Sequence, residues 1–94
     1  MSETGIALRL VITGRVQRVG YRRFMVRAAH DLGITGWVRN RADGSVEAVV
    51  AGAPGAVDAL VELARRGPAA AMVERVDLSP ADGNWTEFSI GPAA

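Results

Sequence analysis

The order in which strand-like and helix-like segments follow one another constrains the fold of this chain more than any other feature. Aliphatic residues alternate along residues 6–13, which predicts a first strand. A glycine-bounded loop, residues 14–20, comes next. From Tyr21 to Leu32 the apolar residues recur at the spacing of an amphipathic helix, and Gly33 is typical of a left-handed residue that ends one.

A hairpin and a second helix follow. Residues 35–41 and 45–50 predict two strands, and residues 42–44 between them have the composition of a tight turn. A second apolar stripe predicts a helix that begins at Pro54 and is stopped by Gly67 and the proline after it.

Two more strands are predicted over residues 72–78 and 85–90, with a turn at residues 82–84. The order is thus βαββαβ with one short extra strand. This order predicts an α+β, ferredoxin-like split βαβ sandwich, in which two helices cover one face of a mainly antiparallel sheet.

The composition is that of a globular protein: 49% of the residues are hydrophobic and 22% are charged. It excludes intrinsic disorder, and no apolar run approaches the roughly 18 residues of a membrane span, so no membrane partner is expected. We predict one domain over residues 1–94, with residues 1–5 and 91–94 as loose tails. No signal peptide is visible and cysteine is absent, so a cytoplasmic location is expected.

Missing residue types exclude several chemistries. Without cysteine the chain has no disulfide, thiolate metal site or cysteine nucleophile, and its single histidine excludes a two-histidine metal site. All 11 basic residues are arginine, so lysine Schiff-base chemistry is excluded as well.

The charges are distributed unevenly along the chain. Residues 1–41 hold eight arginines and two acidic residues, a net charge of +6, whereas residues 42–94 hold three arginines and eight acidic residues, a net charge of −5. A basic half in a nearly neutral protein indicates a local anion site, although chance and an arginine-rich coding bias explain it equally simply.

The predicted topology brings two separate features together. The first two strands are joined by a helix, so they should run parallel through a right-handed crossover and end at the same edge of the sheet. The loop of residues 14–20 leaves the first strand at that edge, and Asn40 ends the second strand there. By itself, Asn40 is better explained as the start of the hairpin turn than as a functional residue.

The loop has the features of an anion cradle. It contains no proline and leads into a helix whose first turn carries Arg22 and Arg23, with Arg18 nearby. Amide N–H groups at a helix N-terminus bind phosphate, and arginine adds paired hydrogen bonds to its oxygens. Arginines are unfavourable at a helix N-terminus, which argues for a bound anion, but solvated surface arginines are an equally weighted alternative.

No protein nucleophile is evident near the loop. Six residues before Arg22, where a cysteine-based phosphatase has its nucleophile, this chain has Val16. The first strand ends without the acidic residue that an aspartyl-phosphate mechanism needs. Direct attack by water is therefore expected.

Two blocks resemble the motifs of the acylphosphatase family. Residues 14–22, Gly-Arg-Val-Gln-Arg-Val-Gly-Tyr-Arg, are similar to the signature Gly-x-Val-Gln-Gly-Val-x-Phe/Tyr-Arg. Residues 36–40 followed by residues 43–47 resemble the family's second motif, and the order of elements agrees over nearly the whole chain.

The resemblance implies an enzyme that hydrolyses acyl phosphates without a metal or cofactor, with inorganic phosphate as product and inhibitor. Arg22 matches the phosphate-binding arginine, and Asn40 matches the asparagine that orients the attacking water. The implied phosphate cradle is formed by the backbone amides of Arg15, Val16, Gln17, Arg18, Val19 and Gly20. Nothing in the sequence demands more than a monomer.

One position departs from the family pattern, since Arg18 stands where the signature has glycine. If the position requires a positive φ, arginine costs about 1 kcal/mol or more there. Either the loop is strained, or the side chain turns outward and strengthens the positive field. The departure keeps open a non-catalytic module that binds phosphate anions or a partner. Nucleic-acid binding is not expected, because Leu8, Leu10 and Ile12 place no aromatic residue on the first strand.

Overall fold

The computed structural model describes residues 5–94, so most of the tail predicted at residues 1–5 lies outside the described residues. Within the described residues the strands and helices follow the predicted order. They are β1 (Ile6–Arg15), α1 (Tyr21–Leu32), β2 (Thr35–Asn40), β3 (Val46–Gly52), α2 (Pro54–Arg66), β4 (Met72–Pro80) and β5 (Phe88–Ile90).

The strands form one sheet in the order β4-β1-β3-β2-β5, and the two helices pack against it and against each other. All neighbours are antiparallel except β2 and β5, which run parallel. Because β3 lies between β1 and β2 and is antiparallel to both, these two strands end at the same edge of the sheet. The α+β, ferredoxin-like architecture with a mainly antiparallel sheet is thus confirmed.

Alternation along the strands builds the core between sheet and helices. Leu10 and Ile12 of β1 are fully buried on the same face as Val38 of β2. Burial of such a side chain stabilises the fold by about 1.5–3 kcal/mol. The Tyr21 hydroxyl of α1 donates a hydrogen bond of 2.6 Å to the Ala64 carbonyl oxygen of α2 and ties the two helices together.

The ends of several strands differ from those predicted from the sequence. β1 continues to Arg15, because it pairs with β4 beyond a bulge that interrupts the alternation seen in the sequence. The strand predicted over residues 85–90 is confined to Phe88–Ile90. Just before it, the Glu87 carbonyl oxygen accepts a hydrogen bond of 3.0 Å from the Gly36 N–H.

The C-terminal tail is not loose, contrary to the prediction for residues 91–94. The Gly91 N–H donates to the Val38 carbonyl oxygen at 2.9 Å, and the Ala94 N–H donates to the Asn40 carbonyl oxygen at 3.0 Å. The Ala94 carbonyl oxygen in turn accepts from the Ala42 N–H at 2.7 Å. The tail continues along the outer edge of β2, where it satisfies backbone groups that an edge strand leaves unpaired.

No helix among residues 5–94 has the length and apolar character needed to span a membrane.

Candidate active site

A close approach of two backbones lies near the end of β1, just before the loop between β1 and α1. The register between β1 and β4 shifts next to Gly14, which has a φ of 127°. A Cβ at this position would lie 2.1 Å from the Met72 carbonyl oxygen, so a side chain is excluded. The bulge therefore fixes where the loop leaves the sheet.

The sign of φ alternates along the backbone of the loop. Arg18 and Gly20 have positive φ values of 64° and 79°. Gln17, which precedes Arg18, and Val19, which lies between the two, do not have a positive φ. Where a right-handed residue precedes a left-handed one, successive N–H groups can form an anion-binding concavity known as a nest. None of the amides of residues 16–20 donates a hydrogen bond to an acceptor in the described chain.

The loop leads directly into α1, whose N-terminus has no side-chain cap and no acidic residue in its first turn. Arg22 and Arg23 lie in that turn. Neither of them, nor Arg18, forms an ion pair with an acidic side chain of residues 5–94. The positive end of the helix dipole and three guanidinium groups therefore lack an internal counter-charge here.

Asn40 approaches the loop from β2. It is the last residue of the strand and lies two residues after the buried Val38, so both side chains face the helices. The Asn40 Oδ1 atom is buried, and among the described residues it is the one buried side-chain polar atom without a hydrogen-bond partner. An unsatisfied buried acceptor costs about 1–3 kcal/mol, and such a group in a native site indicates a missing donor from a ligand or water.

Residues of the loop, of α1, of β2 and of β5 line one cavity of about 280 Å³. The structure thus brings Arg22 and Asn40 together, as the topology predicted, and adds part of the loop. The cavity is not lined by Arg15, Gln17 or Val19, whose expected contribution is through backbone amides alone. The lining residues are Val16, Arg18, Gly20, Tyr21, Arg22, Arg23, Asn40 and Ile90.

Comparison with known proteins identifies the family of this chain. The family model described as "Acylphosphatase" matches residues 8–90. The chain belongs to the acylphosphatase family. It is therefore an enzyme of the acylphosphatase type, and the non-catalytic alternative is not favoured.

Similar proteins cover nearly the whole chain. An acylphosphatase from Thiobacillus denitrificans is 58% identical over 81 residues, which are 86% of this chain and 91% of that protein. The structure of an acylphosphatase from Coxiella burnetii has a TM-score of 0.89 at 28% identity and covers 93% of each chain. That of an acylphosphatase from Bacillus subtilis has a TM-score of 0.87 at 32% identity, over 92% of this chain and 98% of the other.

The side chain of Gln17 links the β1–α1 loop to the β2–β3 turn by hydrogen bonds. Its Nε2 donates to the Arg41 carbonyl oxygen at 2.8 Å and to the Ser45 carbonyl oxygen at 2.9 Å. The turn is itself ordered by Asp43, whose Oδ1 accepts from the Ser45 hydroxyl at 2.6 Å and from the Ser45 N–H at 2.9 Å. The hydrogen bonds from Ser45 lower the pKa of Asp43. One side chain thus holds the loop and the end of β2 in a fixed relation.

A second network lies on the sheet next to Asn40. Glu47 of β3 accepts hydrogen bonds from Arg9 at 2.6 Å and from Arg39 at 2.8 Å. Arg39 also lies over the Trp37 ring, 4.9 Å from its centroid. Burial acts to raise the pKa of Glu47, but the hydrogen bonds from Arg39 and Arg9 outweigh it and the pKa is lowered. Arg39 is therefore engaged on the sheet and is not a cavity residue.

Sequence reasoning missed one wall of the cavity. Ile90 lines it from β5, and 49% of this residue is exposed. The only signal was the strand-like pattern near the C-terminus, which did not reveal that β5 pairs with β2. Tyr21 lines the cavity as well as anchoring the core, as its 1% exposure shows.

Among residues 5–94 no group of three or more histidine, cysteine, aspartate or glutamate side chains is arranged to hold a metal ion.

Proposed function

We propose that this enzyme hydrolyses acyl phosphates to a carboxylate and inorganic phosphate in the cavity between the β1–α1 loop and the end of β2. The observation that carries the proposal is that Asn40, whose buried Oδ1 has no hydrogen-bond partner among residues 5–94, lines the same cavity as Arg22. It supplies an acceptor beside an anion site, which is what a bound water molecule needs.

Arg22 and the loop amides hold the phosphoryl group. The guanidinium donates two parallel hydrogen bonds to phosphate oxygens, and the amides of residues 15–20 surround the rest. Phosphoryl transfer depends mainly on positioning and on stabilising charge at these oxygens, so no covalent intermediate with the protein is needed.

Asn40 orients the attacking water. Its Oδ1 accepts one hydrogen of the water and directs the oxygen at phosphorus, opposite the leaving carboxylate. The bond from phosphorus to the water oxygen forms while the bond to the acyl oxygen breaks. A neutral carboxamide is a poor base, so the proton passes to a phosphate oxygen, and the carboxylate leaves without protonation.

Hydrolysis of benzoyl phosphate tests the proposal. We expect turnover that a metal chelator does not change and that inorganic phosphate inhibits competitively. Tight phosphate binding without any hydrolysis would instead support the non-catalytic, anion-binding module.

A conservative substitution tests the role of Arg22. We expect Arg22→Lys to lower kcat/KM by about 100-fold or more, because a point charge does not replace the paired hydrogen bonds. Arg27→Lys is the matched control, since Arg27 is an exposed residue of the same helix that does not line this cavity. Equal activity of the two variants would contradict the assignment.

We further propose that the protein acts as a cytoplasmic monomer without a cofactor or metal, on small-molecule substrates. The absence of cysteine supports the location. Sedimentation equilibrium tests the monomer, and a dimer at micromolar concentration would contradict it.

A further inference from the structure

The cavity contains more positive charge than one phosphoryl group requires. In the proposed function, Arg22 and the loop amides already bind that group. Arg18 and Arg23 line the same cavity, are exposed, and form no ion pair with the acidic side chains of the described chain. No acidic residue lines the cavity at all. Two guanidinium groups are therefore free to meet another anion at its mouth.

The backbone at Arg18 is a second observation. Its φ of 64° is unique among the non-glycine residues of positions 5–94 and lies in the region that glycine adopts without strain. The motif that this loop resembles has glycine at this position. Residues with strained backbones cluster at active sites and ligand clamps, where the surrounding structure holds them in place. Here the residue places a guanidinium at the cavity mouth.

We propose that Arg18 and Arg23 form a second anion subsite, and that the preferred substrates are acyl phosphates whose acyl group carries its own carboxylate or phosphate. This inference rests on the proposed function, in which the phosphoryl group enters the cradle and the acyl group extends towards the opening. Ile90, the exposed apolar residue of the lining, provides a contact for the carbon chain between the two anionic groups.

The test compares rigid substrates that differ in one charge. Meta- and para-carboxybenzoyl phosphate are each paired with the isopropylbenzoyl phosphate of the same substitution, which has a similar shape and no second charge. We expect the unaltered enzyme to favour at least one carboxylated substrate by about tenfold in kcat/KM. Arg18→Gly and Arg23→Gln should each lower this preference by about threefold, a moderate effect because exposed charges are screened by solvent.

Arg27→Gln is the matched control. It removes one exposed positive charge from α1 but leaves the cavity lining intact, so the preference should not change. A fall in the preference with Arg27→Gln as large as with Arg23→Gln would overturn the subsite in favour of a general field effect. Equal hydrolysis of charged and uncharged substrates by the unaltered enzyme would also overturn it, while leaving the proposed function intact. If neither type of substrate were hydrolysed, the proposed function itself would fail.

Discussion

The unpaired Oδ1 of Asn40 lowers stability and, in the proposed function, binds the attacking water. The buried Oδ1 is shielded from bulk solvent and accepts no hydrogen bond from the described protein, which is unfavourable to folding. We expect Asn40→Ala to reduce kcat by about 100-fold or more while the free energy of unfolding stays the same or rises. Steady-state kinetics and urea denaturation measure the two quantities. The inhibition constant of phosphate should stay within a few-fold, because the phosphate contacts lie on Arg22 and the loop.

An opposite result would identify Asn40 as a structural residue. If Asn40→Ala retained kcat and lost stability, its side chain would serve the β2–β3 turn and not the water molecule. The measurement therefore separates the two interpretations that the sequence left open.

Arg18 and Gly20 make a matched pair for backbone strain, since both have left-handed φ values, 64° and 79°. We expect Arg18→Gly to raise the free energy of unfolding by about 0.5–1 kcal/mol. Glycine relieves the backbone strain, and this gain exceeds the loss of stability from the greater entropy of glycine in the unfolded chain. Gly20→Ala should lower it by about 1 kcal/mol, since a Cβ there would meet no atom within 4 Å and only the φ opposes it. Urea denaturation measures both, and equal stability of Arg18→Gly and the unaltered protein would show that the arginine is not strained.

At the scale of elements, Glu47 joins the three central strands. It lies on β3, directly opposite Arg39 of β2, and diagonally across from Arg9 of β1. Only 7% of its side chain is exposed, against 40% for Arg9 and 35% for Arg39. The carboxylate is therefore desolvated more than its partners, and its two hydrogen bonds stabilise the charged form.

The lowered pKa of Glu47 predicts a pH-dependent contribution to stability. The contribution is complete above the unfolded value, about 4.3, and is lost as the pH falls through the lower pKa of the folded protein. We expect Glu47→Gln to destabilise the protein by about 1–3 kcal/mol at pH 7, and this difference to shrink below about pH 4. Urea denaturation across this range measures it.

Asp77→Asn is the control for Glu47→Gln. Asp77 accepts a hydrogen bond of 2.9 Å from Arg75, but both side chains are exposed, so we expect less than about 1 kcal/mol. A loss as large as that of Glu47→Gln, or one independent of pH in both variants, would contradict the role of burial in the network.

Local patterns predicted most of the elements and the edge at which the site lies. Gly33 shows why: the Ile34 N–H donates to the Ala29 carbonyl oxygen at 2.8 Å across a left-handed glycine, a helix end set by neighbouring residues alone. Asn40 could be placed because chain topology dictates where a parallel pair of strands ends.

Ile90 and the tail at residues 91–94 could not be placed in this way. Their positions depend on pairing with β2, about 50 residues earlier in the chain, and no local pattern specifies that partner. The sequence also could not predict that the Asn40 Oδ1 lacks a hydrogen-bond partner, because this depends on packing in the folded protein and not on the spacing of residues.

Over the whole molecule, charge pairing separates two groups of arginines. Five arginines outside the cavity have acidic partners, whereas the three that line the cavity have none among residues 5–94. The paired group consists of Arg9, Arg39, Arg41, Arg65 and Arg75. The net charge of +1 therefore conceals three arginines without acidic partners at one opening, and a positive field of this kind steers diffusing anions.

If the cavity arginines steer the substrate, kcat/KM should depend on ionic strength, whereas the rate of the chemical step should not. Raising the salt concentration from 0.01 M to 0.15 M shortens the screening length from about 30 Å to about 8 Å. We expect kcat/KM for benzoyl phosphate to fall several-fold over this range while kcat changes little. Chloride could mimic this by occupying the phosphate site, so the series is repeated with a bulky organic anion at equal ionic strength. A fall with chloride alone would mean competition at the cradle, whereas the same fall with both anions follows from screening of the cavity arginines.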